Sequence, residues 1–328
     1  MSRTLARLTR RATLAHLRHV SPVRPGAAPP PVKRVYDQIE REFGLLAPPI
    51  ALHAADPAVL AAAWCMLRET LLVPGTTTRR ARESIAAAVS AANACPYCVD
   101  VHGAVVRGLG GPDGPPPALP AVLAPELIGV AVIFHYLNRM VNVFLQESPL
   151  ADVPAPLLGG AHRGAAWVMA RLARREATAG TSLSLLPGVA DTSRRLPADL
   201  RWAAGLPHVA AAMAGAAAVI EDAGRRAVPP AVGALVRESL ADQPEAVTPP
   251  WLDARLAGLS PSDRATGRLA MLVAFASYRV PDSLVAEVRA GGYDEAALVG
   301  LSAWAALTAA RHAGGALATA YEAAGSAH

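Results

Sequence analysis

Lysine is almost missing from this 328-residue chain: Lys33 is the only one, against thirty arginines. With abundant Ala, Gly and Pro, that imbalance reads as a bias of coding composition and not as a binding signature. Acidic residues are absent before Asp37, and residues 1–36 hold eight cations. The net charge is +5, so with +8 in the arm the remainder carries −3, which excludes a nucleic-acid-binding core. The arm, MSRTLARLTRRATLAHLRHV, lacks the apolar centre of a secretory signal. Its acid-free, Arg-rich amphipathic pattern also suits an organelle transit peptide, but we read it as a helix docking on the body or on a neighbouring chain.

Long apolar runs are missing too, although the mean hydropathy is +0.28. The nearest, IGVAVIFHYLNRMVNVFL (128–145), is interrupted by His135, Asn138, Arg139 and Asn142. The expectation is a soluble, cytoplasmic protein with no membrane partner. Three cysteines, Cys65, Cys95 and Cys98, are too few for a disulfide framework and fit a reducing compartment. Cys65, inside the apolar run VLAAAWCML, reads as a small buried hydrophobe.

Strand patterns are nearly absent. Helical periodicity and good helix formers predict helices over 32–43, 57–71, 78–93, 96–107, 125–146, 161–176, 207–223, 230–241, 262–277, 281–290 and 294–319. Breaks fall at 21–31, 108–120 and 178–197, where Pro and Gly cluster. The class is all-α. Residues 77–103 can be laid on 259–288 at an offset of 184, pairing Arg80 with Arg264, Ile85 with Leu269 and Val89 with Val273. Upstream, PAVLAAAWCMLRE (57–69) resembles PHVAAAMAGAAAVIE (207–221). The expected layout is a basic arm (1–31), a first helical domain (32–150), a linker region (151–199) and a degenerate repeat (200–328).

The chemistry concentrates in AANACPYCVDVHG (91–103). Pro96 suits the first position of a helix, so one helix should end near Asn93 and another begin with Cys95 at its cap. Cys98 then sits in the first turn, where free N–H groups and the helix dipole favour a thiolate. His102 lies one turn on, on the same face. Cys95 and Cys98 are within reach of a disulfide. If the preceding helix folds back, Glu83 meets His102 and orients its ring as a proton acceptor. The same groups, with Asp100 or Glu83 as a fourth ligand, also suit zinc. In the second copy Glu83, Cys95, Cys98 and His102 become Gly267, Arg279, Asp282 and Ala286, which carry none of this chemistry. His135, Asn138 and Arg139 either tie helices together or line the site. Arg79, Arg80 and Arg82 read as a solvated helix face, and Trp202, Trp251 and Trp304 as core.

Glu83, twelve intervening residues, Cys95-Pro96-Tyr97-Cys98, three more residues and His102 resemble the alkyl hydroperoxidase D-like branch of the carboxymuconolactone decarboxylase family. FHYLNRMVNVF (134–144) is similar to that family's next helix. The resemblance implies an all-helical, homo-oligomeric fold and a cofactor-free, metal-free thiol peroxidase. It implies Cys98 as the thiolate attacked by hydroperoxide, Cys95 as the resolving thiol, Glu83 and His102 as the proton relay, and an external dithiol or redox protein as reductant. The family's decarboxylases lack the cysteine pair, which disfavours lactone decarboxylation. The opposing reading is a non-catalytic scaffold or binding protein on a duplicated, mostly decommissioned fold.

Overall fold

Proline starts the helices. The computed structural model describes residues 14–146, 148, 164, 171–188, 196–242, 244 and 246–326. Eight of its named α-helices begin on a proline, which has the required φ and no N–H to leave unpaired. In chain order they are α1 (Pro30–Glu42), α2 (Pro48–Ala51), α3 (Pro57–Leu67), α4 (Arg79–Ala92), α5 (Pro96–Gly108), α6 (Pro125–Phe144), α7 (Pro207–Ala227), α8 (Pro230–Asp242), α9 (Pro249–Leu256), α10 (Arg264–Ala276), α11 (Asp282–Ala290) and α12 (Glu295–Gly325). Among the described residues there is no strand, only an isolated bridge between Leu17 and Leu145. The fold is all-α. The arm's first thirteen residues and most of the helix expected over 161–176 lie outside the described residues.

Four helices form the centre. α3 packs on α7, and α6 packs on α12. α3 is apolar all round and buries every residue from Val59 to Leu67, as a helix enclosed on all sides must. α6 is long and apolar enough to cross a membrane, but most of it is buried inside the protein. Close approach needs missing side chains at two points. A Cβ on Gly224 would strike Trp304, and one on Gly314 would strike Val132. Among the described residues one hydrophobic cluster joins both halves, with members from Leu14 to Ala310.

The two halves share an order of elements. At the offset of 184, α4 corresponds to α10 and the break at 93–95 to the 3-10 turn Ser277–Arg279. α5 corresponds to α11, and the long helices α6 and α12 follow each pair. Trp202 and Trp304 are core as expected, whereas Trp251 is half-buried against Phe275.

Two features differ from expectation. The helix expected to reach residue 71 continues past Leu67 as a π-turn, Arg68–Leu72. That turn buries Arg68 and Glu69 as an ion pair, with Glu42 on the Arg68 Nε at 2.6 Å. Part of the presumed linker is also docked. Glu69 accepts from Gly180 N (2.9 Å) and Ser182 Oγ (2.6 Å), while Arg68 donates to Thr178 O (2.8 Å). Apolar periodicity cannot announce a segment held by two buried charges. Cys65 lies in this region, fully buried, donating to Ser182 O, its thiol pushed up to about 12 by burial first.

His53 gives the core a pH dependence. It is fully buried, its Nδ1–H donating to Ile50 O (3.1 Å) and its Nε2 accepting from Tyr136 (2.8 Å). Burial lowers its pKa from 6.5 to about 4. Below pH 6.5 the unfolded chain takes up a proton that the folded chain refuses, so this contribution is full above 6.5 and is lost by about pH 4. Replacing His53 by Asn should remove roughly 3 kcal/mol of the stability change between pH 7 and 4. Urea titrations across that range check it; an unchanged pH slope would contradict the assignment.

Candidate active site

The corner between α4 and α5 builds the site. Asn93 caps α4, and Ala94 takes φ +47°, a left-handed conformation uncommon for a residue with a Cβ. Cys95 follows as the N-cap of α5, its N–H bonded to Ser90 O (3.0 Å), and Pro96 is the first helical residue. α5 therefore runs back along α4, and Arg80 at the start of α4 reaches Gly110 O beyond the end of α5 (3.3 Å).

This reversal brings Glu83 to His102. Glu83 Oε2 lies 2.6 Å from His102 Nδ1, and Oε1 lies 2.7 Å from the Arg79 guanidinium. Glu83 is 1% exposed. Burial alone would raise its pKa, but the charge of Arg79, then the charge and hydrogen bond of His102, outweigh it and hold the carboxyl at about 2. An ionised carboxylate only accepts, so Nδ1 of His102 carries the hydrogen and Nε2 is left as the basic nitrogen. The ring stands edge-on against Phe134, with centroids 4.5 Å apart.

The cysteines are unbridged thiols, 1% and 3% exposed for Cys95 and Cys98. The helix-end effect expected at Cys98 is overridden. Its thiol is pushed well up, first by its hydrogen bond with Cys95, then by burial and by the Cys95 charge. Charge on one of two adjoining sulfurs opposes charge on the other. Tyr97 is buried between them, which keeps its phenol protonated. The arm passes beside it, and the His16 ring meets Tyr97 edge-on at 6.3 Å.

Behind the pair lies a polar layer that helical spacing alone does not announce. Asn138, fully buried, donates to Ser90 Oγ (3.0 Å) and accepts from Asn93 Nδ2 (3.1 Å). Arg139 donates to Asn93 Oδ1 (3.0 Å), to His135 O (2.7 Å) and across to Ala274 O on α10 (3.1 Å). Asn142 bridges Asn93 O (3.1 Å) and Ser277 Oγ (3.0 Å), which are equivalent positions of the two halves. His135 joins this layer through Asn93 at 3.1 Å, and burial, then Arg139, lower its pKa to about 3.

Glu83 and His102 thus meet directly, as do Cys95 and Cys98. The arginine run is not a uniform solvated face: Arg79 holds Glu83, and Arg82 is buried on Val73 O. A glutamate four residues on from Arg79 was the available signal. Asp100 faces Ser148 (3.4 Å), and among the described residues no three His, Cys, Asp or Glu side chains gather as a metal site.

An all-helical core with a CxxC corner and a paired glutamate and histidine defines a class: the chain belongs to the carboxymuconolactone decarboxylase family, as an alkyl hydroperoxidase D-like member. The family's sequence profile matches residues 58–124. The chain is 35% identical over 331 aligned positions to the Mycobacterium tuberculosis protein named alkyl hydroperoxide reductase Rv2159c, covering 90% of this chain and 93% of that one. No solved structure matches it.

Two variants test the geometry. Because Cys95 is the main influence raising Cys98, Cys95→Ser should lower the pH midpoint of Cys98 alkylation by iodoacetamide, located by peptide mass; an unchanged or higher midpoint contradicts that influence. The Glu83 carboxylate stabilises the fold fully above its unfolded pKa of 4.5, and that contribution disappears as pH falls through about 2. Glu83→Gln should therefore cost roughly 3 kcal/mol at pH 7, measured by urea unfolding.

Proposed function

We propose that this protein is a thiol-dependent peroxidase that reduces hydroperoxides through the Cys95–Cys98 pair. The observation that carries the reading is the Glu83–His102 contact at 2.6 Å, one helical turn from Cys98. It provides a base of fixed tautomer on the face of the dithiol.

Cys98 S–H gives its proton to His102 Nε2, and the thiolate attacks the terminal oxygen of ROOH. The O–O bond breaks, sulfur is oxidised by two electrons to Cys98–SOH, and the alkoxide leaves as ROH with the proton returned from His102. The Cys95 thiol then displaces water from the sulfenic acid and closes the disulfide. An external dithiol or redox protein exchanges with it, leaving as a disulfide and restoring two thiols. Neither cofactor nor metal enters the cycle. The relative's name, alkyl hydroperoxide reductase, supports hydroperoxide as the substrate class. We further propose a cytoplasmic homo-oligomer in which residues 200–328 are a degenerate second copy retained for structure.

The near-complete burial of both thiols favours one competing reading, a scaffold with an inert dithiol. One experiment separates the two. Brief exposure to one equivalent of alkyl hydroperoxide should consume two thiols and two hydrogens in the Cys95–Cys98 peptide of the wild type. Cys98→Ser should lose turnover by at least a hundredfold, the loss of a nucleophile. Thiols that stay unreacted, or a Cys98→Ser protein that turns over at the wild-type rate, would leave the scaffold reading in front.

A further inference from the structure

Cys95 and Cys98 are 1% and 3% exposed, yet a peroxide oxygen and then an external thiol must each touch sulfur. Something has to move. The helices around the pair hold one another: a layer of side-chain hydrogen bonds through Asn93, Asn138, Arg139 and Asn142 joins α4 and α6 to the end of α10. The described end of the arm, residues 14–21, is held differently. It lies beside the dithiol, with the His16 ring edge-on to Tyr97, the residue between Pro96 and Cys98. Arg18 N–H donates to Phe144 O (2.8 Å) and Gln146 N–H donates to His16 O (3.1 Å), a two-bond bridge at the end of α6. The same stretch leads to Ser148, whose hydroxyl donates to Asp100 (3.4 Å), two residues beyond Cys98.

From there the arm crosses to the second half. His19 takes φ +63°, uncommon for a residue with a Cβ. Arg18 ion-pairs with Asp282, and His19 Nε2 lies 3.1 Å from the same carboxylate. Ser21 donates to Glu295 from both N (2.8 Å) and Oγ (2.7 Å), and Arg289 donates to His19 O (3.1 Å). At the offset of 184, Asp282 occupies the place that Cys98 has in the first half. The Arg18 and Asp282 side chains are 33% and 68% exposed. Ion pairs of that kind stabilise little and weaken in salt. We propose that residues 14–21 are a strap closed over the dithiol, clipped to the end of α6 beside Tyr97 and to Asp282 and Glu295 of the second half. The strap detaches before a peroxide or a reductant reaches Cys98. Its part in turnover rests on the reading of Cys95 and Cys98 as the reactive pair; the closure itself does not.

The test uses the full-length protein. Arg18→Pro removes at once the N–H bonded to Phe144 O and the guanidinium on Asp282. Hydrogen exchange over residues 14–21 reports whether the strap is loosened. Alkylation of the Cys95–Cys98 peptide by N-ethylmaleimide at one fixed pH, located by peptide mass, reports whether the dithiol is uncovered. Reaction through a minor open form scales with the population of that form. Losing one hydrogen bond and one ion pair should raise that population, and with it the alkylation rate, about tenfold. High salt should speed alkylation of the wild type and leave Arg18→Pro unchanged. Arg18→Asp and Asp282→Arg should each speed it alone, and the two together should return it to the wild-type rate, which a general loosening of the fold would not do. Exchange or alkylation that stays at the wild-type rate in Arg18→Pro would overturn the strap, and where that variant still reduces alkyl hydroperoxide the peroxidase reading stands. Faster alkylation in Arg18→Pro, with a wild type that does not reduce alkyl hydroperoxide, would keep the strap and reject the peroxidase reading.

Discussion

The reversal of the chain at residues 93–96 is the constraint on which the site depends. Glu83 and His102 are nineteen positions apart, and along one continuous helix they would be far apart. They meet because Ala94 adopts a left-handed conformation and Pro96 restarts the helix at once. A left-handed alanine is strained by about 1 kcal/mol or more, and such strain persists only where its surroundings overdetermine it. Here they do: Cys95 N is bonded to Ser90 O, Asn93 O to Asn142, and the Asn93 side chain to three residues of α6.

The corner also explains how ionisable groups coexist inside an apolar core. Burying a lone carboxylate would drive it neutral. Glu83 stays charged because each oxygen has its own partner, a permanent cation on one side and an imidazole on the other. Arg79 therefore keeps Glu83 as an acceptor at every physiological pH, which fixes the tautomer of His102. Cys98 has no cation beside it. Its hydrogen bond with Cys95 and its burial work against ionisation. The Glu–His pair is carried by α4 and α5, whereas the amide layer is carried mainly by α6.

Much of this was legible in the sequence for a simple reason: proline marks the helix starts. Pro57, Pro96, Pro125 and Pro207 each open an element at the position the spacing predicts, and Pro96 alone locates the corner. The Glu83–Cys95–Cys98–His102 constellation could be read because its members are rare residue types in an alanine-rich background. What stayed illegible were common types with uncommon surroundings. Arg79 looks like any surface arginine until its glutamate is buried. Asn138 was readable as a tie between helices, and it is one through Ser90 and Asn93, but the sequence could not name those partners. The π-turn at Arg68–Leu72 escaped because its charges are satisfied by residues 178–182, more than a hundred positions away, where no local pattern reaches. Two short helices, α2 and α9, fell below the length at which periodicity carries a signal.

The second half has the same order of helices around its own turn, without the reactive residue types. Where α4 turns through Asn93, Ala94 and Cys95, α10 turns through Ser277, Tyr278 and Arg279. The two turns meet on opposite sides of one side chain, Asn142, whose amide donates to both Asn93 O and Ser277 Oγ. Arg139, one turn earlier on the same helix, makes the parallel connection from Asn93 to Ala274 O at the end of α10. A buried arginine with backbone and amide acceptors in place of a carboxylate is worth keeping only if those acceptors stay put. The second half supplies that fixed wall. Its contribution to that layer is made by a carbonyl, Ala274 O, and a hydroxyl, Ser277 Oγ, at the end of α10, and neither requires a reactive residue type in that half.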